Sequence, residues 1–411
     1  MKLRYFLTVM LIPALLCCQE PDSIDPEGDV PGGEVVEPNP DQGQTPDPEP
    51  EPTPEPELAP EIKDGSKILV TNEYVEKFLT DVKYPTHDYT YSSLLDWAEE
   101  NGIHVSPCRS ENTDKPQVYT IRWDADEDAG DVTVKLWEDT WSREQTLEAG
   151  SYYIEVTNLC PNTHYHYEVI AGDKQLTHGE FDTEGRVHQL FFKSRIRNCR
   201  DLGGWKTEDG KTVKYRMLYR GGRLNGSYLS KSGKEDLKAE GIRAQLDLRG
   251  EDDVLSESTL ASFIEDYAFC APCIEEGYSQ LINNDKEKVR QCMEFIMDCV
   301  ENNKPVFFHC SLGRDRTGTI TMLLLGFLGV PEGDISQEYE LTQFAPHGYA
   351  TSDGEKTKMT RLADYDGAAR AIWAYVDEES GETFADGVEK YFLEIGLSQE
   401  DLDKFRSNML K

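Results

Sequence analysis

The stretch that most limits what this chain can fold into runs from Pro305 to Leu328. Pro305-Val306-Phe307-Phe308 is a short apolar run that reads as a buried strand ending at His309. Thr319 to Leu328 is apolar and long enough for a buried helix. Between them lies His309-Cys310-Ser311-Leu312-Gly313-Arg314-Asp315-Arg316-Thr317-Gly318. The whole therefore predicts a strand–loop–helix turn, with a cysteine where the loop begins and Arg316 where the helix starts. In such a turn the backbone N–H groups can converge on one point, and the helix N-terminus adds positive potential there. A phosphate dianion suits that cradle. The same field favours the thiolate form of a cysteine beside it. A guanidinium at 316 can hold two phosphate oxygens in a fork, which a lysine cannot do. Two arginines and an aspartate within three positions are poor core material, which argues against a merely structural cysteine.

Cysteine, five residues, arginine, then threonine, with histidine before the cysteine, resembles the signature of the cysteine-dependent phosphatase superfamily. Two further pieces narrow the likeness. Asn198-Cys199-Arg200-Asp201-Leu202-Gly203-Gly204 precedes Arg216-Met217-Leu218-Tyr219-Arg220-Gly221-Gly222-Arg223-Leu224, and Gly241 to Arg249 follows. In this order they resemble the bacterial tyrosine/serine phosphatases, over roughly residues 190 to 345. Independently, strands alternating with helices from about 186 onward predict a central, mainly parallel sheet flanked by helices, with the loop at the carboxyl end of its strand.

The resemblance implies roles. Cys310 is the nucleophile that forms a cysteinyl-phosphate. Arg316 and the loop amides stabilise the equatorial oxygens. Thr317 is expected to hydrogen-bond the sulfur and help it leave. His309, Ser311, Leu312, Gly313 and Arg314 form the substrate-binding part of the loop, with His309 fixing it rather than acting as an acid. Gly313 and Gly318 allow close backbone approach. Asp315 is the expected general acid, and orienting Arg316 is its bland alternative. The segment 266–278, where relatives carry the acid on a separate loop, has no clear aspartate counterpart and offers Glu275 and Glu276. Asp201, Asp247 and Arg249 are possible supporting residues, and a structural ion pair explains the last two equally well. In related phosphatases that act on phosphoinositides, the position two before the arginine is often lysine. Arg314 keeps that layout, so phosphoinositides and inositol phosphates stand beside phosphoproteins as expected substrates. No cofactor and no metal are needed.

The rest of the chain is read more coarsely. Lys2 and Arg4 followed by an apolar run to Leu16 predict a signal peptide over 1–18, too short to span a bilayer. Its end at Cys17-Cys18 resembles a bacterial lipoprotein signal, which implies lipidation at Cys18 and a protein exported and anchored to a membrane, periplasmic or at the cell surface. Residues 19–62 alternate proline with Asp and Glu, a composition that cannot bury a core and stretches into a spacer. Much of the net charge of −36 is local to such stretches, and its sign disfavours nucleic acid. Residues 63–115 contain short amphipathic helices, at Tyr74–Leu79 and Ser92–Asn101, with no assigned role.

Residues 116–185 alternate in period 2 and predict a β-sandwich. Leu159, Pro161, Thr163 and Tyr165 resemble the tyrosine corner of a fibronectin type III domain, with Trp123 and Tyr165 in the core. His164 and His166 share a strand face, but no further ligand cluster accompanies them, so no metal site is assigned. Cys270 and Cys273 have the spacing of a redox pair, read as buried thiols. Residues 186–411 form the catalytic domain. Two further functions stay open at this point: an inositol-phosphate phosphatase, and a phosphate-binding surface adhesin whose sandwich does the work.

Overall fold

The computed structural model describes residues 58–84, 97–98, 100–102, 114–124, 128, 130–249, 258–270, 278–345 and 363–411. The expected signal with Cys18, nearly all of the acidic spacer, Cys273, Glu275 and Glu276 lie outside them. No helix among the described residues is long and apolar enough to cross a membrane.

Two sheets share the first core. A five-stranded sheet has the order β1-β7-β6-β3-β4, where β1 is Ser66–Leu69, β3 Val132–Glu138, β4 Trp141–Leu147, β6 His164–Ala171 and β7 Lys174–Glu184. β2 (Tyr119–Arg122) and β5 (Tyr153–Val156) pair antiparallel as the second sheet. The period-2 expectation holds. On β6, Tyr165, Tyr167, Val169 and Ala171 are buried, while His164, His166 and Glu168 face outward. Trp123 and Tyr165 are core residues, and the Tyr165 hydroxyl accepts the Cys160 backbone N–H at 2.9 Å. β4 escaped the sequence pattern because Trp141-Ser142-Arg143-Glu144-Gln145-Thr146-Leu147 is an edge strand with both faces largely wet.

Two expectations for this half need correction. The stretch 63–115 is not simply helical. β1 adds to the sheet edge parallel to β7, with Ser66 opposite Phe181, while α1 (Glu73–Asp81) buries Val75, Phe78 and Leu79 in the core of the C-terminal domain. Asn72 caps α1 by accepting the Tyr74 N–H at 3.0 Å. Nor do His164 and His166 stand without a carboxylate beside them. Glu180 of β7 lies directly across from His166, fourteen residues away in the chain and invisible without the hairpin's register.

The third sheet has the order β11-β10-β12-β9-β8: β8 is Arg200–Asp201, β9 Leu218–Gly221, β10 Ala244–Asp247, β11 Asp266–Phe269 and β12 Val306–His309. All its pairings are parallel except β8 with β9. β12 sits at the centre with all four residues buried. Its alternate side chains serve two cores. Phe308 joins the larger one, and Phe307 packs opposite with Phe192, Tyr219 and Leu237. The helices are α2 (Lys231–Ala239), α3 (Tyr278–Asn284), α4 (Lys286–Glu301), α5 (Asp315–Phe327), α6 (Glu332–Glu340), α7 (Ala363–Trp373), α8 (Phe384–Glu394) and α9 (Gln399–Met409). α5 is buried from Thr317 to Phe327, as an all-apolar helix should be. It begins four residues earlier than the apolar run suggests, so Asp315 and Arg316 form its first turn.

The two halves share one unit. Arg216 lies at the seam. Its guanidinium stacks 3.9 Å from the Trp141 ring, donates to the Tyr165 hydroxyl at 3.2 Å and pairs with buried Glu240. The Asn158 side chain bonds both the N–H and the C=O of Phe191, at 2.8 and 2.9 Å.

Candidate active site

Cys310 lies 5% exposed at the end of β12, and the loop 310–314 leads into α5. What shapes the loop is where its carbonyls go. The Cys310 oxygen faces His309 Nδ1 at 3.3 Å. The Ser311 oxygen accepts the Arg223 N–H at 3.1 Å. The Leu312 and Gly313 oxygens accept Asn198 Nδ2 at 3.3 and 2.8 Å, and Arg220 also donates to Gly313. In a trans peptide the N–H points opposite to the preceding C=O. Four carbonyls turned into the protein therefore turn the N–H groups of Ser311, Leu312, Gly313 and Arg314 the other way, into a common cradle for an anion.

Glycine is required at 313. Its φ is +68°, and a Cβ there would lie 2.4 Å from the Gly221 carbonyl carbon. Gly318 lets α5 approach α6, since a Cβ would lie 2.7 Å from the Tyr339 ring.

The brace behind the loop is a buried polar network. Asn198 Nδ2 also reaches Thr342 Oγ1 at 3.1 Å, and its Oδ1 accepts from Arg200. Arg200 Nε pairs with Glu338 Oε1 at 2.7 Å, and Arg220 Nη1 with Glu338 Oε2 at 2.7 Å. Glu338 thus neutralises two buried guanidinium groups, both of which serve the loop. From the sequence Arg200 could brace the loop, and it sits in that brace; Asn198 and Arg220 lie in shared motifs without an expected role, and Glu338 carries no sequence signal. Asp201 does not brace the loop as expected. Its carboxylate accepts Gly203 and Arg216 N–H groups at 2.9 and 2.6 Å and faces His188 Nδ1 at 3.1 Å, at the seam with the sandwich.

His309 is fully buried. Burial holds its proton affinity below the usual value, although Asp247 opposes this. Its Nε2 faces the Gln245 amide at 2.8 Å, whose oxygen accepts from Ser258. That chain assigns the proton to Nδ1, facing the Cys310 carbonyl, and fits the expected loop-fixing role. Asp247 and Arg249 form a buried bidentate pair, with Nε to Oδ1 at 2.9 Å and Nη2 to Oδ2 at 2.6 Å. Burial works against the Asp247 charge, but His309 and Arg249 together hold its carboxyl below the ordinary range. Leu248 lies between them, and its carbonyl accepts Arg316 Nη1 at 2.8 Å. That bond anchors one side of the guanidinium across the loop.

Asp315 Oδ1 pairs with Arg314 Nε at 2.6 Å and accepts from the Tyr339 hydroxyl at 3.3 Å. So Arg314 turns toward Asp315 and is 9% exposed, where the sequence expected a cation directed at substrate. Thr317 Oγ1 is buried with no hydrogen-bond partner, so the expected bond to the Cys310 sulfur is not made in this geometry. Next to Arg314 lies buried Glu340, which burial and then Asp366 push up to about 8, with Arg314 opposing.

A cluster that the sequence did not flag flanks the loop. Arg195, Arg197 and Arg223 lie 5.6, 5.6 and 5.1 Å from the centre of the Tyr228 ring. The Arg223 N–H holds Ser311, and the Arg197 carbonyl accepts the Gly222 N–H at 2.9 Å, so the backbone that carries two of these cations adjoins the cradle.

Residues 193–411 match the model of a tyrosine phosphatase family. A candidate tyrosine-protein phosphatase of Cupriavidus necator is 29% identical, over 46% of this chain and 73% of that protein. A tyrosine-protein phosphatase of Nostoc commune is 26% identical, over 32% of this chain and 47% of its own length. Among solved structures, Pseudomonas aeruginosa TpbA aligns at 15% identity with a TM-score of 0.28, covering 46% of this chain and 91% of that one. The core catalytic domain of a yeast PP-IP phosphatase aligns at 17% identity with a TM-score of 0.26, over 34% and 78%.

Proposed function

Because this chain belongs to the tyrosine phosphatase family, we propose that it hydrolyses phosphomonoesters, phosphotyrosine first among them, through a cysteinyl-phosphate on Cys310. The observation that carries this is the loop whose carbonyls are all bonded inward, leaving four N–H groups around the point a phosphate would occupy beside Cys310. The sulfur attacks phosphorus and the ester oxygen leaves, taking a proton from Asp315. Water then attacks phosphorus, the sulfur leaves and inorganic phosphate is released, with the proton returning to Asp315. Arg316 and the loop amides hold the equatorial oxygens through both steps. Thr317 Oγ1, buried and unpartnered, can serve the sulfur as it leaves.

A second substrate class is favoured by one observation. Arg195, Arg197 and Arg223 flank the cradle, and among the described residues none of them is in an ion pair. Three uncompensated guanidinium groups beside a phosphate site suit a substrate with several phosphates, such as an inositol phosphate. The sandwich, with its tyrosine corner at Tyr165, is read as a fibronectin type III-like spacer or docking module. The chain is read as exported and lipid-anchored through Cys18, with the acidic segment as stalk. The test is phosphate release from phosphotyrosine peptide, phosphoserine peptide, phosphoinositides and inositol phosphates, with reductant, by the wild-type chain and by Cys310→Ser. Turnover that vanishes in the variant is expected. No turnover on any substrate by a folded wild-type protein would leave phosphate binding as the function.

A further inference from the structure

The outward face of β6 and β7 carries a second arrangement of chemistry-bearing side chains, and a β-bulge creates it. Near their turn Ala171 pairs with Lys174 and Ile170 with Gln175, but Val169 pairs with Thr177. Without that extra residue Glu180 would oppose Tyr165, and its side chain would share the core face. With it, Glu180 opposes His166 and Asp182 opposes His164. The result is two imidazoles and one carboxylate whose donor atoms all lie within 4.8 Å of one another.

The details go beyond proximity. Glu180 Oε2 lies 3.6 Å from His164 Nε2 and 3.6 Å from His166 Nδ1. A tetrahedral ion with bonds of about 2.0–2.1 Å sets its ligand atoms roughly 3.3 Å apart, so the two contacts to Glu180 need to close by only a few tenths of an ångström, and the two imidazole nitrogens start within 4.8 Å of each other. The other nitrogen of His164, Nδ1, faces Asp182 Oδ1 at 3.0 Å. With the proton on Nδ1, donated to Asp182, the lone pair of His164 stands at Nε2, on the Glu180 side. A carboxylate behind a ligating histidine is how proteins fix the tautomer of a metal ligand. His166 is steadied by stacking on Trp137, with centroids 5.5 Å and planes 24° apart. Beside the group opens a groove of about 420 Å³, lined among others by Trp137, His166, Glu168, His178 and Glu180.

We propose that His164 Nε2, His166 Nδ1 and Glu180 Oε2 bind a divalent transition ion of the zinc class, with a coordination position open to the groove. Two neutral imidazoles and one carboxylate are the donor set that such ions take, whereas calcium and magnesium prefer oxygen alone. The other cluster of this kind among the described residues, Cys160, His188 and Asp201, is differently placed. It is fully buried, with no groove among the described residues for an open coordination position, and Asp201 already accepts two backbone N–H groups.

The test uses the full chain carrying Cys310→Ser, which removes the catalytic thiol as a competing ligand. After chelator treatment, Zn²⁺ is titrated by calorimetry and Co²⁺ by absorption spectroscopy. One equivalent of Zn²⁺ is expected to bind, and His164→Ala with His166→Ala should weaken that event by more than ~100-fold. Asp182→Asn should weaken it by ~10–100-fold. His164 is exposed and His166 half-buried on the outer sheet face, away from the core, so circular dichroism should be unchanged, and with Cys310 restored phosphate release should match wild type. Equal zinc uptake by the double variant would overturn the proposal. So would a sulfur-to-cobalt charge-transfer band, which would place the ion at a cysteine, or the absence of zinc binding to the folded parent.

Discussion

Asn198 offers the sharpest test of how the phosphate cradle is held. Its backbone is left-handed, with φ of 59°, and its side chain is 1% exposed. The amide donates to Leu312 and Gly313 carbonyls and to Thr342, and its oxygen accepts from Arg200. Asn198→Ala removes all of these and sets alanine in a left-handed conformation that costs ~1–2 kcal/mol. Two good donated bonds, at 2.8 and 3.1 Å, are worth ~1 kcal/mol each. Gly313 keeps its bond from Arg220 and Arg200 keeps Glu338, while the Leu312 carbonyl loses its 3.3 Å bond from Nδ2. The total is about 3–4 kcal/mol of stability. Asn198→Gly removes the same bonds without the backbone strain, so it should recover ~1–2 kcal/mol of that. The catalytic effect should not recover. The Leu312 and Gly313 carbonyls lose their shared anchor in both variants, and misaiming a single cradle donor costs up to ~10²–10³ in rate. With Arg220 still in place, kcat on p-nitrophenyl phosphate should fall ~10–100-fold in both variants. Denaturant melts and steady-state kinetics at a temperature where each variant is folded decide the matter. If Asn198→Gly keeps kcat within twofold of wild type, the side chain stabilises the fold but does not aim the loop, and the argument from the carbonyls fails.

Other outcomes follow from the same structure. Gly313→Ala must bear a left-handed φ and a Cβ 2.4 Å from Gly221, so it should lose ~2 kcal/mol or more in denaturant melts, and most of its phosphate release. Glu340 is held protonated by burial up to about 8, so its contribution favours folding below about 4.5 and is lost as pH rises through about 8. Glu340→Gln should therefore gain stability relative to wild type as melts are taken from pH 6 to 9, and a constant difference would refute that. For His188, burial pulls the proton affinity down, but neighbouring Cys160 and the bond to Asp201 more than offset it and leave it at about 10. A folded value above the unfolded ~6.5 gives stability that is full below pH 6.5 and lost by about pH 10. The advantage of wild type over His188→Gln should shrink across that window in thermal melts.

The catalytic loop was legible because local chemistry defines it. A buried strand, a turn bearing Cys310 and Arg316 and an apolar helix fall within some twenty residues, and each carries its own signal. Mainly parallel pairing around β12 was legible for the same reason. The brace was not. Asn198 meets Gly313 across 115 residues, and nothing in either segment states that Arg200, Arg220 and Glu338 will converge behind it. The pairing of Arg314 with Asp315 was not legible because sequence gives a side chain's position but not its rotamer. Glu180 was missed because strand register, set here by a one-residue bulge, decides which face a side chain joins.

The seam at Arg216 has a practical consequence. The homologous stretch starts at 193, yet a polypeptide cut there would carry Gln337 without the Leu79 and Val82 carbonyls it donates to, at 3.1 Å in the first case, and Arg216 without Trp141 and Tyr165. It would also lay bare the apolar ground that Val75, Phe78 and Leu79 cover. The portion recognisable by descent is thus smaller than the portion able to stand alone. Expression boundaries for crystallisation or assay belong near residue 58, upstream of β1.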